Sequence, residues 1–126
     1  MDEQTFELSL DPVLGAAAQA RQATRRWLAG STMSGALVDD LELVISELVT
    51  NAVVHAQTPL RLLVRFDGHR VVAEVFDADA HPPRPARPVD DVGGIGLLLV
   101  DRLSDRWGSE PVRNGKRVWA ELSEDH

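Results

Sequence analysis

Residues 47–56 read ELVTNAVVHA and close a long segment whose apolar residues recur at helical spacing. From about Ser34 to Ala56, Leu37, Leu41, Val44, Ile45, Leu48 and Ala52 cluster on one face at roughly 100° per residue. The spacing predicts a helix that buries this stripe, with Thr58-Pro59 as its end. Glu47, Asn51 and His55 follow one another at steps of four, each step turning about 40° around the axis. Glu47 falls outside the stripe, Asn51 at its margin and His55 close to its centre, so the polar row turns into the core as it climbs. Polar groups taken out of water need partners. Either Asn51 and His55 bond nearby backbone while Glu47 faces water, or the three edge a site. A carboxylate can orient or deprotonate a hydroxyl, and an amide oxygen suits Mg²⁺.

Outward from this helix the chain divides into short elements. TFELSL (5–10) alternates and reads as a half-buried strand. Asp11-Pro12 offers a cap and a first helical position for a helix to about Leu28, stopped by Gly30. LRLLVRF (60–66) and RVVAEVF (70–76) form a hairpin around Asp67-Gly68. Residues 78–92 carry four prolines and no periodicity, a loop long enough to be functional or disordered. GGIGLLLVDRLSDRW starts with glycines and becomes a third helix closed near Trp107-Gly108. Asn114-Gly115 then turns a short strand at about 109–113 into KRVWAEL (116–122). The order β-α-α-β-β-loop-α-β-β implies an α+β fold, a two-layer α/β sandwich. Its sheet is mixed but mostly antiparallel, with about three helices on one face. Residues 1–126 read as a single domain.

Composition narrows the partners. The formal net charge is −7, with 20 acidic against 13 basic residues, which repels phosphate backbones and argues against direct nucleic-acid binding. A nucleotide remains possible, because local donors and a metal can hold it. There is no cysteine, hence no disulfide or thiolate zinc site. No apolar run approaches the roughly 20 residues of a membrane helix, and MDEQTFELSL is not a signal peptide. A cytoplasmic protein is expected.

Two downstream segments keep company with the polar row. In VFDADAHPP, Asp77 stands where a strand gives way to a loop, placed to accept a hydrogen bond from an amino group such as that of adenine. A solvated strand-end carboxylate is the alternative. In GGIGLLLV, Gly93, Gly94 and Gly96 precede a helix, where backbone N–H groups and the helix dipole favour phosphate. A flexible hinge is the alternative. A P-loop is excluded because Leu97-Leu98 stands in place of Lys-Ser/Thr. The dinucleotide fingerprint is excluded because Leu99 replaces its third glycine.

From about Leu8 to Leu122 the chain resembles the GHKL (Bergerat-fold) ATPases, and within them the stand-alone branch of anti-sigma factor serine/threonine kinases. ELVTNAVVHA resembles that family's N box, FDADAHPP its first glycine-containing box and GGIGLLLV its second, while LSDRWG…NGKRVWAEL resembles the tail of the branch. The resemblance implies ATP and Mg²⁺ as cofactors. Asn51 would ligate the Mg²⁺ that bridges the phosphates, and Glu47 would act as general base on a substrate hydroxyl. Asp77 would bind the adenine amino group, and His55 would lie near the phosphates or support the helix. Gly93, Gly94, Ile95, Gly96 and Leu97 would line the phosphate end, under a lid formed by residues 80–93 that carries Arg84 and Arg87. The family's first box has Gly two residues after its Asp; here that place is Asp79, beside the adenine site. The implied partners are an anti-sigma factor antagonist, phosphorylated on Ser or Thr, and a sigma factor, with a homodimer through the first strand and helix. The competing reading is an inactive ATP-binding module that regulates a partner by binding alone; a detached histidine-kinase catalytic domain is a third.

Overall fold

The structure is a computed structural model that describes residues 3–79 and 92–125. The elements run β1 (Gln4–Leu10), α1 (Ala16–Leu28), α2 (Gly35–His55), β2 (Leu60–Phe66), β3 (Arg70–Asp77), α3 (Val92–Leu103), β4 (Arg106–Val112) and β5 (Gly115–Ser123). The strands form one sheet in the order β1-β2-β3-β5-β4. The expected α+β sandwich is found, but among the described residues the sheet is not mixed: all four pairings there are antiparallel.

Register explains which face the helices cover. Leu62, Val75 and Val118 share one row across β2, β3 and β5, and Val64, Ala73 and Ala120 share the next. All six are buried, together with Leu41, Ile45 and Leu48 of α2. The opposite face carries a lattice of charge. Glu74, 3% exposed, is held there by Arg65 and by Arg117. Arg117 also reaches Glu110 at 2.7 Å, and Arg106 pairs with Glu121 at 2.8 Å.

Helix α2 runs the length of the sheet. Ser34 caps it, accepting from the Leu37 N–H at 3.2 Å. The Ser34 hydroxyl donates to Glu124 at 2.6 Å, which pins this end beside the end of β5. At the other end Gln57 adopts φ 56° and turns the chain into β2, so the stop precedes Thr58-Pro59. The Thr58 hydroxyl oxygen accepts the Ala78 N–H at 3.0 Å, tying the exit of α2 to the end of β3. Arg21 of α1 donates to Ser46 of α2 at 2.8 Å, and Arg25 pairs with Asp39 at 3.3 Å and with Glu42.

Three boundaries differ from the expectation. Helix α1 starts at Ala16, not at Pro12, and Asp11 is not its cap. The Asp11 carbonyl instead accepts Val13 N–H at 2.9 Å and the Val13 carbonyl accepts Ala16 N–H at 3.0 Å, so a separate turn comes first. Helix α3 ends at Leu103, and Trp107 belongs to β4. The Asp105 N–H donates to the Glu121 carbonyl at 2.8 Å, which draws the chain onto the sheet edge early. The last turn is Arg113-Asn114, with Asn114 at φ 65° and Gly115 already paired to Val112. Gly115 is needed for approach: a Cβ there would sit 1.8 Å from the Asp77 carbonyl oxygen.

Candidate functional site

One end of the sheet gathers most of the candidate residues. The last row on the helix side reads Leu10, Leu60, Asp77, Lys116, Pro111. It is the row where apolar pairing gives way to charge. Four residues separate the end of α2 at His55 from the start of β2 at Leu60, so the C-terminal end of α2 lies at this row. Helix α3 leads into Arg106, which pairs with Glu121 toward the opposite end. At about 1.5 Å per residue, its 12 residues therefore carry its N-terminus back toward the Asp77 end. Gly93, Gly94, Ile95, Gly96 and Leu97 lie within α3, which begins at Val92. The glycines were expected just before the helix; they occupy its first turns instead. The lid residues 80–91, including Arg84 and Arg87, lie outside the described residues.

The polar row of α2 sits on the flank away from α1. Ser46, Glu42 and Asp39 mark the side that meets α1. On the helical wheel Glu47 and Asn51 lie about 100° or more from that side, and α2 also packs against α3. Glu47 and Asn51 are half-buried, and His55 is exposed. The expectation that the row turns into the core is therefore wrong at His55. Wheel angle gives direction and not depth: His55 is the last residue of α2, and among the described residues β2 and β3 pair no further than Leu60 and Asp77.

Asp77 is the most constrained of the candidates. Its side chain is 1% exposed. Oδ1 accepts the Asp79 N–H at 2.9 Å, and Oδ2 lies 3.2 Å from Lys116 Nζ. That distance gives an ion pair, but the ammonium is off the hydrogen-bond line, so Oδ2 is a buried acceptor with no hydrogen-bond donor of its own. Lys116 Nζ also meets Asp79 Oδ2 at 3.4 Å. Asp79 is thereby held by the lysine at the rim of Asp77. A cleft of about 420 Å³ opens at this end, and its wall includes Leu10, Asp11, Leu60, Asp77 and Asn114. Glu47, Asn51, His55, Asp79 and Lys116 are not part of that wall; Lys116 lies behind it, against Asp77.

Lys116 is the site residue that reading the sequence missed. The signal was present: it is the only lysine beside 12 arginines, and it opens an alternating strand directly after a glycine. What the sequence lacks is the register that places it opposite Asp77. Among the described residues there is no cluster of three or more His, Asp or Glu side chains able to hold a metal ion by themselves. Nor is any of their helices long and apolar enough to cross a membrane.

Helices packed on one face of a five-stranded antiparallel sheet, with a buried carboxylate at one end, make the described residues a small α+β domain. Residues 10–122 match the family described as Histidine kinase-like ATPase domain, and the chain belongs to that family. A similar solved structure is that of the RsbU and RsbW domains of Rv1364c from Mycobacterium tuberculosis. It aligns at 21% identity and a TM-score of 0.72 over 95% of this chain. The chain spans about a third of the length of that one, 32%. No curated protein matches.

Proposed function

We propose that the protein is an ATP-binding regulator that transfers the γ-phosphoryl group of ATP to a Ser or Thr of an anti-sigma factor antagonist and sequesters a sigma factor. The observation that carries the nucleotide reading is Asp77 Oδ2, a buried acceptor with no donor aimed at it. An exocyclic amino group supplies such a donor. Asn51, half-buried near the end of α2, would hold Mg²⁺ through its amide oxygen. That ion would neutralise charge developing on the transferred group. Backbone N–H groups at the start of α3, from Gly93 to Leu97, would face the phosphates, where an unsatisfied helix terminus favours anions. His55 is exposed at the end of α2 and would stand at the phosphate rim.

In the transfer, Glu47 takes the proton of the partner's hydroxyl. The hydroxyl oxygen bonds to the γ-phosphorus, the bond from that phosphorus to the bridging oxygen breaks, and ADP leaves. Glu47 suits this role because it is half-buried on the flank of α2 that turns away from α1. Strand β1 is an edge of the sheet, a surface on which two copies could pair in a cytoplasmic homodimer.

A second reading is favoured by Asp79. Its carboxylate pairs with Lys116 beside Asp77, where the family's first box has glycine, and this fits a module that binds ATP without transferring phosphate.

Thermal unfolding with Mg²⁺-ATP tests the shared part. Ligand at 100 times its Kd stabilises by about 2.7 kcal/mol. At roughly 2.1 cal/mol/K per residue, a chain of 126 residues should then melt about 10 °C higher. Asn51→Ala should lose most of this shift. Glu47→Ala separates the two readings: it should bind ATP and lose phosphorylation of the antagonist. Wild type that binds ATP and never phosphorylates supports the module.

A further inference from the structure

We infer that Lys116 is a specificity-determining residue that donates a hydrogen bond to the ring nitrogen beside the amino group of adenine, while Asp77 accepts from that amino group. The inference rests on the nucleotide reading above and adds to it a second, cationic reader of the base edge. An ammonium carries three donors. Among the described residues, Lys116 uses one hydrogen bond, to Asp79 Oδ2 at 3.4 Å. Its contact with Asp77 Oδ2 at 3.2 Å is an ion pair without hydrogen-bond alignment. An acceptor oxygen and an ammonium with donors to spare therefore lie side by side in the last row of the sheet. Both project from paired positions of β3 and β5 toward the helices.

The adenine edge presents the complementary pair, an amino donor next to a ring-nitrogen acceptor. Guanine and hypoxanthine present the reverse order, an oxygen acceptor on the six-position next to a ring N–H. Asp77 and Lys116 are fixed by neighbouring strands and cannot exchange places. Asp79 has a part in this arrangement. Its carboxylate and the N–H it gives to Asp77 Oδ1 hold the ammonium and the carboxylate in register. Asp79 thus acts as a positioning residue for the pair.

The test measures binding of Mg²⁺ complexes of ATP, 1-deaza-ATP and ITP to the wild-type chain by titration calorimetry. In 1-deaza-ATP a C–H replaces the ring nitrogen and the amino group is kept. Loss of one charge-assisted hydrogen bond predicts binding about 10- to 100-fold weaker than ATP, and ITP should be weaker still because both positions mismatch. Lys116→Met should bind ATP and 1-deaza-ATP equally. Wild type that binds ATP and 1-deaza-ATP with the same affinity overturns the inference while leaving ATP binding intact. Wild type that binds none of the three overturns the nucleotide reading itself, and this inference with it. The wild-type comparison decides the matter even if Lys116→Met does not fold.

Discussion

Replacing Gly115 with alanine probes the contact that brings β5 to the end of β3. The added Cβ would lie 1.8 Å from the Asp77 carbonyl oxygen, 2.9 Å from its carbon and 3.1 Å from Ala78 Cα. All three are backbone atoms, so no rotamer change relieves the clash and the strands must part at the Asp77–Lys116 pair. Overpacking that side chains can partly relieve costs about 1–3 kcal/mol. A clash with fixed backbone belongs at the top of that range or above it. With 1 kcal/mol worth about 4 °C for a chain this size, Gly115→Ala should melt at least ~10 °C below wild type and lose its response to ATP. Two other glycines calibrate the result. At Gly108 a Cβ meets the Trp119 indole at 3.1 Å, a side chain that can tilt, so Gly108→Ala should cost about 1 kcal/mol. At Gly35, in the first turn of α2, a Cβ meets nothing within 4 Å, and Gly35→Ala should stabilise by about 0.5–1 kcal/mol. Thermal and urea unfolding of the three variants gives the order directly. Gly115→Ala melting within 2–3 °C of wild type, or above Gly108→Ala, refutes the close approach.

Removing the buried carboxylate in Glu74→Ala takes from Arg65 and Arg117 their shared partner and leaves Arg117 with Glu110, and urea unfolding should report a loss of about 1–3 kcal/mol. Ser34→Ala deletes the cap of α2 and the hydroxyl's bond to Glu124 while keeping the bond from the backbone N–H; about 1–2 kcal/mol is expected by the same assay. Asp67 accepts the backbone N–H groups of Arg70 and His69, which hold its carboxyl below the usual carboxylate range. A depressed folded pKa means that its contribution is complete above the ordinary unfolded value of about 4 and is lost as pH falls through the lowered one. The stability gap between wild type and Asp67→Ala should therefore be constant near neutrality and close in acid, and a gap that widens in acid would contradict the assignment.

Periodicity made the helices and strands of the described residues legible, because each buries one face. The apolar stripe of α2 and the alternation of β5 are examples, and α2 matches its expected span to within a residue. The boundaries that slipped are those set by tertiary hydrogen bonds, which no local pattern encodes. The Asp105–Glu121 bond starts β4 early, and the Asp77–Gly115 approach moves the last turn one residue back. That Asp77 closes β3 was legible because a carboxylate at the end of an apolar strand is conspicuous. Lys116 was not, because its meaning depends on a partner 39 residues away in sequence, brought opposite by strand register. His55 shows the limit of the wheel, which places a residue around an axis and says nothing of where the covering sheet ends.

The charged row at the end of the sheet is the less stable choice for a fold that could have continued its apolar pairing. The two rows before it are closed by Val75–Val118 and Ala73–Ala120. Asp77 and Lys116 stand where a third such pair would fit, both less than a tenth exposed. Replacing a buried ion pair with apolar residues of similar volume is often neutral or stabilising by about 1–4 kcal/mol, whereas removing one partner alone is costly. Asp77→Leu combined with Lys116→Met should then match or exceed wild type in urea while Mg²⁺-ATP no longer raises its melting temperature. Asp77→Leu alone should be the weaker fold, because it leaves Lys116 buried with Asp79 as its remaining partner. If the double variant keeps its ATP response, the pair is structural and the base lies elsewhere. If the double variant unfolds like the single one, the row is needed to close the sheet, and the argument that it is kept for a ligand fails.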